Sequence, residues 1–287
     1  MMNGETGRVR AAARAATALT IALALGACSE TMGINASTKV AEVEAGPKAQ
    51  ESNAGNIDSL TEVIQRNPRD PVAYNTRGVV YAKLGRYSNA VEDFSHAIEL
   101  DPRFAGAYTN RALAYRQQRQ DELAMQDFNQ AIAADPNAAP AYLGRGNLER
   151  AHDNYDAALA DLNQAIRLNP EGAQAYHARG LIYQRQGAQP QAITDFNNAI
   201  DRDPFAGAPY QARGQSYLAT GQWQKAVDDF NAALNVDDHN SEAWAGLGLA
   251  YEKLGNRAKA IEAYSSAASL NPRNAEAKAG LARVNSG

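Results

Sequence analysis

Cysteine and histidine are scarce in this chain of 287 residues, which has one cysteine and four histidines. A single cysteine excludes a disulfide framework and any zinc or iron–sulfur site that needs several cysteines. The histidines lie far apart and predict no ligand cluster: His96, His152, His177 and His239. The sequence also lacks a glycine-rich nucleotide loop, a serine elbow and a metalloprotease helix. We therefore expect no catalytic residue, no metal site and no cofactor, and these absences favour a scaffold over an enzyme.

An excess of positive charge is missing as well. The chain carries 28 basic and 32 acidic side chains, for a formal net charge of -4. This balance argues against a protein that binds nucleic acid mainly by neutralising phosphates. The hydrophobic fraction of 45% and the charged fraction of 21% are ordinary for a folded protein, so they exclude a wholly disordered chain.

No hydrophobic run is long enough to span a membrane. The longest, Ala15–Leu25, follows a basic stretch that holds Arg8, Arg10 and Arg14. This order of a positive region and a short apolar core is typical of a signal peptide, which we place at residues 1–27.

The tetrapeptide Leu25-Gly26-Ala27-Cys28, directly behind the apolar core, resembles the lipobox of bacterial lipoproteins. The resemblance implies that Cys28 is lipidated and becomes the first residue after cleavage, which would explain the lack of other cysteines. It also implies a lipid anchor in the cell envelope, and Ser29 favours the outer membrane, facing the periplasm. The alternatives are an ordinary signal peptide followed by an idle thiol, or a chance match in a cytosolic protein. Residues 28–55 are polar without an apolar period and predict a flexible tether.

A repeat with a constant period organises the rest of the chain. Prolines recur at 102, 136, 170, 204 and 272, led by Pro68. An aromatic series and two alanine series have the same period: Tyr74, Tyr108, Tyr142, Tyr176, Tyr210 and Trp244; Ala90, Ala124, Ala158, Ala192, Ala226 and Ala260; Ala97, Ala131, Ala165, Ala199, Ala233 and Ala267. Within one unit, Tyr74, Gly78 and Tyr81 have the spacing of one helix face. A second helical pattern follows around Phe94, and Gly85 between the two predicts a turn.

This order of aromatic, small, aromatic, alanine, aromatic, alanine and proline resembles the tetratricopeptide repeat. Six units fit without an insertion: 71–104, 105–138, 139–172, 173–206, 207–240 and 241–274. The resemblance implies an all-α fold, a right-handed solenoid of six helical hairpins. Residues 56–70 and 275–287 predict capping helices at its two ends. Glu149 and Asp238 depart from the pattern, in the place of a tyrosine and a proline.

Two charged series share the period. Arginine recurs at positions 77, 111, 145, 179 and 213, and aspartate follows within the same units at positions 93, 127, 161, 195 and 229. The sixth unit lacks both and has Leu247 and Ala263. Joint presence and joint absence predict an arginine–aspartate pair within each of the five units, although a basic ladder for acidic clients is the alternative.

The resemblance also implies where partners bind. In this family the first helix of each unit lines the inner surface of the superhelix, and its polar positions predict a groove for an extended or helical peptide. The predicted groove residues are Asn75, Lys83, Thr109, Arg116, Asn147, Arg150, His177, Gln184, Arg185, Gln211 and Gln215. The lysine and asparagine set with which some relatives clamp a C-terminal carboxylate is absent.

Among bacterial proteins the units Tyr-x-x-Arg-Gly-x-x-Tyr and Ala-x-x-Asp-Phe-x-x-Ala-Ile most resemble those of NlpI-type lipoproteins. That resemblance implies a membrane-anchored periplasmic adaptor whose partners are other envelope proteins, including peptidoglycan hydrolases and a protease. One alternative is a pilotin-type lipoprotein that assists pilus or secretin assembly, and a minor one is an enzyme with a site hidden in the repeats. The sequence leaves the client and the oligomeric state open.

Overall fold

The computed structural model describes residues 47–286, with side chains from residue 56 onward, and this range holds fourteen α-helices and no strand. The helices are α1 Pro47–Arg66, α2 Pro71–Lys83, α3 Tyr87–Leu100, α4 Ala105–Gln117, α5 Asp121–Ala134, α6 Ala139–Ala151, α7 Tyr155–Leu168, α8 Ala173–Arg185, α9 Gln189–Arg202, α10 Gly207–Ala219, α11 Trp223–Val236, α12 Ser241–Lys253, α13 Arg257–Leu270 and α14 Ala275–Ser286. From α2 to α13 they pair into six hairpins, so the predicted all-α solenoid of tetratricopeptide hairpins is confirmed.

Each hairpin joins a first helix of 13 residues to a second helix of 14 residues. The first helices begin at positions 71, 105, 139, 173, 207 and 241, which are the predicted starts of the units. At the start of α2 the Asp70 side chain accepts a hydrogen bond from the backbone N–H of Val72 at 2.9 Å. Pro71 follows at the first helical position, where its missing N–H costs nothing and its fixed φ suits the helix.

The turn inside each hairpin needs one residue with positive φ. Gly85, Gly187, Gly221 and Gly255 supply it in four repeats, with φ between 72° and 76°. Repeats 2 and 3 instead place Arg119 (φ 59°) and Asp153 (φ 60°) in this left-handed conformation. A side chain with a Cβ adopts that conformation at a cost, so these two turns are less favourable than the glycine turns.

The contacts between helices define which side of the array is the inner one. Each first helix contacts the first helix of the next repeat, from α2 and α4 through to α10 and α12. No second helix contacts the next second helix among the described helices; each one packs instead against the first helix that follows it. The first helices are therefore closer together, and they form the inner side of the curve.

The core repeats with the sequence. Each second helix buries one large side chain between two alanines, and all six are fully enclosed: Phe94, Phe128, Leu162, Phe196, Phe230 and Tyr264. Glycine on the facing first helix makes room for the ring, since a Cβ at Gly78 would lie 2.6 Å from Phe94 Cε1. Full burial of a side chain of this size contributes about 1.5–3 kcal/mol to the stability of each hairpin.

The N-terminal capping helix is longer than the sequence predicted. We expected it at residues 56–70 after a flexible tether, whereas α1 begins at Pro47 and ends at Arg66. The tether prediction rested on the lack of an apolar period, but residues 47–55 contain alanine, glutamine, lysine and glutamate, which favour a helix without packing. Proline is also tolerated in a first helical turn. Residues 28–46 of the predicted tether lie outside the described residues.

The C-terminal helix α14 caps the other end through a polar network. Arg283 donates from Nε to Glu252 Oε1 at 2.9 Å and from Nη2 to Glu276 Oε1 at 2.9 Å. The hydroxyl of Tyr264, which occupies the place of the buried phenylalanine, donates to Glu252 Oε2 at 2.6 Å. The hydrogen bond from Arg283 holds the pKa of Glu252 below its usual value. These contacts join α12, α13 and α14.

Candidate partner-binding groove

The five arginine–aspartate pairs predicted from the repeat are present. In repeat 4, Arg179 donates from Nε to Asp195 Oδ2 at 2.8 Å and from Nη2 to Oδ1 at 2.7 Å. The side chain of Asp195 is 4% exposed and that of Arg179 is 20% exposed. The hydrogen bond to Asp195 raises the pKa of Arg179 above its usual value, against the opposing effect of burial. The same two-point geometry occurs in Arg77–Asp93, Arg111–Asp127, Arg145–Asp161 and Arg213–Asp229.

Each of these arginines makes a third contact that the sequence analysis did not predict. Its Nη1 donates to a side chain of the second helix before it: Thr61, Ser95, Asn129, Asn163 or Asn197. These acceptors also recur once in every repeat period. Their recurrence is the feature of the sequence from which this third contact could have been predicted. One guanidinium thus holds three helices together, and Thr61 shows that α1 takes the place of a second helix before repeat 1.

Tyrosines cover the same guanidinium groups. The Arg111 guanidinium lies 5.7 Å from the ring centre of Tyr108 and 5.8 Å from that of Tyr115, within cation–π range. Each arginine of this series contacts a carboxylate, a neighbouring helix and at least one ring, so the series is part of the packing between helices. The geometry favours the interpretation as pairs over a basic ladder for acidic clients.

The eleven predicted groove residues differ widely in exposure. Lys83, Arg185 and Gln215 are exposed; Asn75, Arg116, Arg150, Gln184 and Gln211 are half-buried; Thr109, Asn147 and His177 are buried. All lie on first helices, which form the inner side of the array. Whether a partner touches them stays a prediction.

Several of these side chains connect neighbouring repeats. Asn75 Oδ1 accepts a hydrogen bond from Asn110 Nδ2 at 3.0 Å. Gln184 Nε2 donates to Ser216 Oγ at 2.8 Å, which joins α8 to α10. Gln211 Oε1 accepts from Asn240 Nδ2 at 2.7 Å, and Asn240 is the N-cap of α12, so this bond joins α10 to the start of the sixth hairpin. Because these amides already form hydrogen bonds within the stack, they are less available to a partner than the unpaired atoms of Arg116, Asn147 and Arg150.

The middle of the inner surface carries polar atoms without partners. Arg116 Nη1, Asn147 Oδ1 and Arg150 Nε are buried and form no hydrogen bond with any residue that the structure describes. Burial lowers the pKa of Arg116; Asp121 acts against this, and Arg150 adds to it. Burial, assisted by the charge of Arg150, also lowers the pKa of His177 to about 4, so this imidazole is neutral near pH 7.

A cleft of about 670 Å³ opens beside Arg150. Its walls include Tyr155, Leu181, Gln184 and Arg185, which combine apolar surface with hydrogen-bond donors. The carboxylate of Asp153 also lines it and accepts a hydrogen bond from the Tyr155 hydroxyl at 2.5 Å. A side chain of a bound peptide could enter this cleft.

Among the described residues, one cluster brings together side chains of the types that bind metal ions. Asp237, Asp238 and His239 lie side by side in the loop after α11, and all three are exposed. Clusters of exposed acidic groups are common without an ion, so this loop does not define a metal centre.

Family comparison covers nearly all of the helical array. Models described as tetratricopeptide repeat match residues 71–104, 105–138, 173–205, 212–275 and 249–285, and one described as TPR repeat matches residues 146–187. These ranges leave out only 139–145 and 206–211 between residues 71 and 285. The chain belongs to the tetratricopeptide repeat proteins, a class that binds peptides or partner proteins.

Solved structures share the architecture at low sequence identity. A chain of the APC/C hetero-tetramer Cut9–Hcn1 has a TM-score of 0.71 and 19% identity over 81% of this chain, which spans 47% of that one. Pseudomonas aeruginosa PilF has a TM-score of 0.69 and 19% identity, covering 74% of this chain and 97% of its own. PilW, described as a widely conserved type IV pilus biogenesis factor, has a TM-score of 0.65 and 18% identity, covering 74% and 98%. At these identities the likeness shows the fold. No curated protein sequence matches the chain significantly.

The predicted membrane attachment falls outside the described residues. Cys28 and the signal peptide precede residue 47, and their assignment stays a prediction from the sequence. Of the helices that the structure describes, none combines the length and the apolar character needed to cross a membrane.

Proposed function

We propose that this protein is a lipid-anchored adaptor of the bacterial cell envelope that holds partner proteins in the groove formed by its first helices. The observation that carries the proposal is the inner surface, where buried guanidinium and amide atoms lack partners among the described residues. A folded protein normally satisfies such atoms, because an unpaired buried polar group costs free energy. A bound segment of another protein would supply the missing contacts.

The location rests on the N-terminal sequence. The basic stretch, the apolar core and Leu25-Gly26-Ala27-Cys28 support export and lipidation at Cys28, with palmitate among the acyl groups expected on such an anchor. Several acyl chains hold a protein in a membrane more firmly than one, because each buried methylene contributes about 0.8 kcal/mol. The anchored chain would face the periplasm, and Ser29 favours the outer membrane. The resemblance to NlpI-type lipoproteins suggests peptidoglycan hydrolases and a protease as the partners.

A second candidate function is that of a pilotin-type lipoprotein in pilus or secretin assembly. The observation that favours it is the similarity to PilW, nearly all of whose length this chain covers. The two functions predict different partners for the same groove.

Proximity labelling in cells tests the proposal. The full-length chain carries at its C-terminus a peroxidase that labels its neighbours from added biotin-phenol and hydrogen peroxide, and a Cys28→Ser variant is the matched control. We expect the wild-type chain to be recovered with the membrane and to label wall hydrolases and a protease. Labelling of pilus or secretin subunits would select the second candidate.

Two results would contradict the proposal. One is labelling of cytosolic proteins by the wild-type chain, which would remove the envelope assignment. The other is recovery of wild-type and Cys28→Ser chains in the same soluble fraction, which would remove the lipid anchor.

A further inference from the structure

Arg116 and Arg150 occupy the same position of two adjacent repeats, on the contacting helices α4 and α6. The other four repeats have no arginine at this position and carry Ala82, Gln184, Leu218 and Glu252. The two guanidinium groups are near enough for the charge of Arg150 to act on that of Arg116. Like charges so placed repel each other, and their occurrence on one surface of an acidic protein needs a reason.

These two arginines differ from the five that pair with aspartates. Neither guanidinium group forms a hydrogen bond or an ion pair with any described residue, and each has a buried nitrogen without a partner. The nearby carboxylates are engaged elsewhere: Asp121 contacts His152 Nε2 at 3.0 Å, and Asp153 accepts from Tyr155. Guanidinium stays charged in proteins, so burial does not relieve the site by neutralising it.

We propose that Arg116 and Arg150 bind a carboxylate side chain of a partner's acidic peptide segment, placed between the two guanidinium groups on the inner surface. A carboxylate removes the repulsion and matches the planar donors of arginine with paired hydrogen bonds. Asn147, buried on α6, offers its unpaired Oδ1 as an acceptor for a backbone N–H of the same peptide. The next residue of the peptide would reach the cleft of Tyr155 and Leu181 beside Arg150. This inference rests on the proposed function, because it assumes that the groove binds partners.

Selection from a random-peptide display library tests the inference. The mature protein is purified from membranes in mild detergent and compared with the Arg116→Gln/Arg150→Gln variant. The matched control is Arg103→Gln/Arg167→Gln, which removes the same charge from exposed positions outside the groove. We expect aspartate and glutamate to be enriched by the wild-type protein and by the control, and not by the groove variant.

The strength of the effect follows from the hydrogen bonds lost. For one selected acidic peptide, each single substitution should weaken binding about tenfold or more, since hydrogen bonds between charged groups are stronger than neutral ones. Added salt should weaken binding to the wild-type protein and change binding to the groove variant little. The variant should remain folded, and its melting temperature should equal or exceed that of the wild type, because two unpaired buried charges are gone.

The outcomes separate the inference from the proposed function. Peptides selected without acidic enrichment, or the same peptides selected by the groove variant, would overturn the inference and leave the adaptor function standing. No selected peptide at all would count against both. Selected sequences that match residues 29–55 of this chain, which contain Glu30, Glu42 and Glu44, would replace the partner by the chain's own segment and so overturn the inference as well.

Discussion

Removing one aspartate from a buried pair should destabilise the solenoid far more than removing the pair. In repeat 4, Asp195→Ala would leave Arg179 Nε and Nη2 without acceptors, while Asn163 still accepts from Nη1 at 2.6 Å. The aspartate side chain is 4% exposed, so water cannot fully replace it. Repeat 6 shows the alternative solution, because it carries Leu247 and Ala263 at the same two positions, 3% and 2% exposed.

The magnitude follows from the contacts. Breaking a buried ion pair by removing one partner costs about 3–5 kcal/mol, because the remaining charge is left uncompensated. The partial exposure of Arg179 places our expectation at the lower end, about 3 kcal/mol. Replacing both members by apolar residues of similar volume is often nearly neutral. We therefore expect Arg179→Leu/Asp195→Ala to lie within about 1 kcal/mol of the wild type, the lost bond to Asn163 included.

Urea unfolding followed by circular dichroism measures these differences. Repeat arrays lose cooperativity when one unit is weakened, so the slope of the transition must be compared as well as its midpoint. Asp201→Ala, at an exposed position of the same helix, is the control and should change the free energy of unfolding by less than about 0.5 kcal/mol. The reasoning would be refuted if Asp195→Ala resembled this control, or if the double variant were as unstable as the single one.

Two further predictions concern the middle of the array. The pKa of His177 is about 4 in the fold and about 6.5 in an unfolded chain, so its contribution to stability is present above pH 6.5 and is lost as the pH falls toward 4. The loss should amount to about 3 kcal/mol, and a His177→Asn variant should show a correspondingly smaller fall in unfolding free energy between about pH 7 and pH 4; equal falls would contradict the burial argument. Arg119→Gly should raise the unfolding free energy by about 0.5–1 kcal/mol, because it removes a left-handed conformation that disfavours a Cβ. Gly187→Ala, at the equivalent turn, should lower it by a similar amount, and the same sign for both changes would refute the explanation.

Much of the fold was predictable because the period of the repeat can be read directly from the sequence. The regular recurrence of tyrosine, alanine and proline defined the hairpins, and each first helix begins where the spacing placed it. The arginine–aspartate pairs were predictable for the same reason, since two series that appear and disappear together imply a contact. The residues that accept a hydrogen bond from Nη1 of each arginine also recur with the repeat period. They differ in residue type, however, so only their equivalent positions identify them as a series: Thr61, Ser95, Asn129, Asn163 and Asn197.

The boundary of α1 was not predictable by the same reasoning. An apolar period indicates a helix that packs, and residues 47–55 have none, although their composition favours a helix. The groove showed a related limit. In the sequence, Asn75, Gln184 and Gln211 have the character of free groove residues. Once the hairpins are stacked, each forms a hydrogen bond with a residue on, or at the cap of, a neighbouring first helix.

The sequence by itself determined the class of protein: a fixed period whose apolar residues have helical spacing on either side of a turn indicates stacked helical hairpins. The prediction of a lipid anchor at Cys28 likewise rests on the N-terminal sequence alone and needs no knowledge of the fold. Only the tertiary structure decided which arginines are satisfied. Arg179 meets an aspartate and an asparagine because the second helices on either side face it, whereas no described second helix supplies a carboxylate within hydrogen-bond distance of Arg116 or Arg150. The physical reason is that the sequence shows where an arginine charge is, but not what neutralises it. That depends on which side chains the stacking of the helices brings within hydrogen-bond distance.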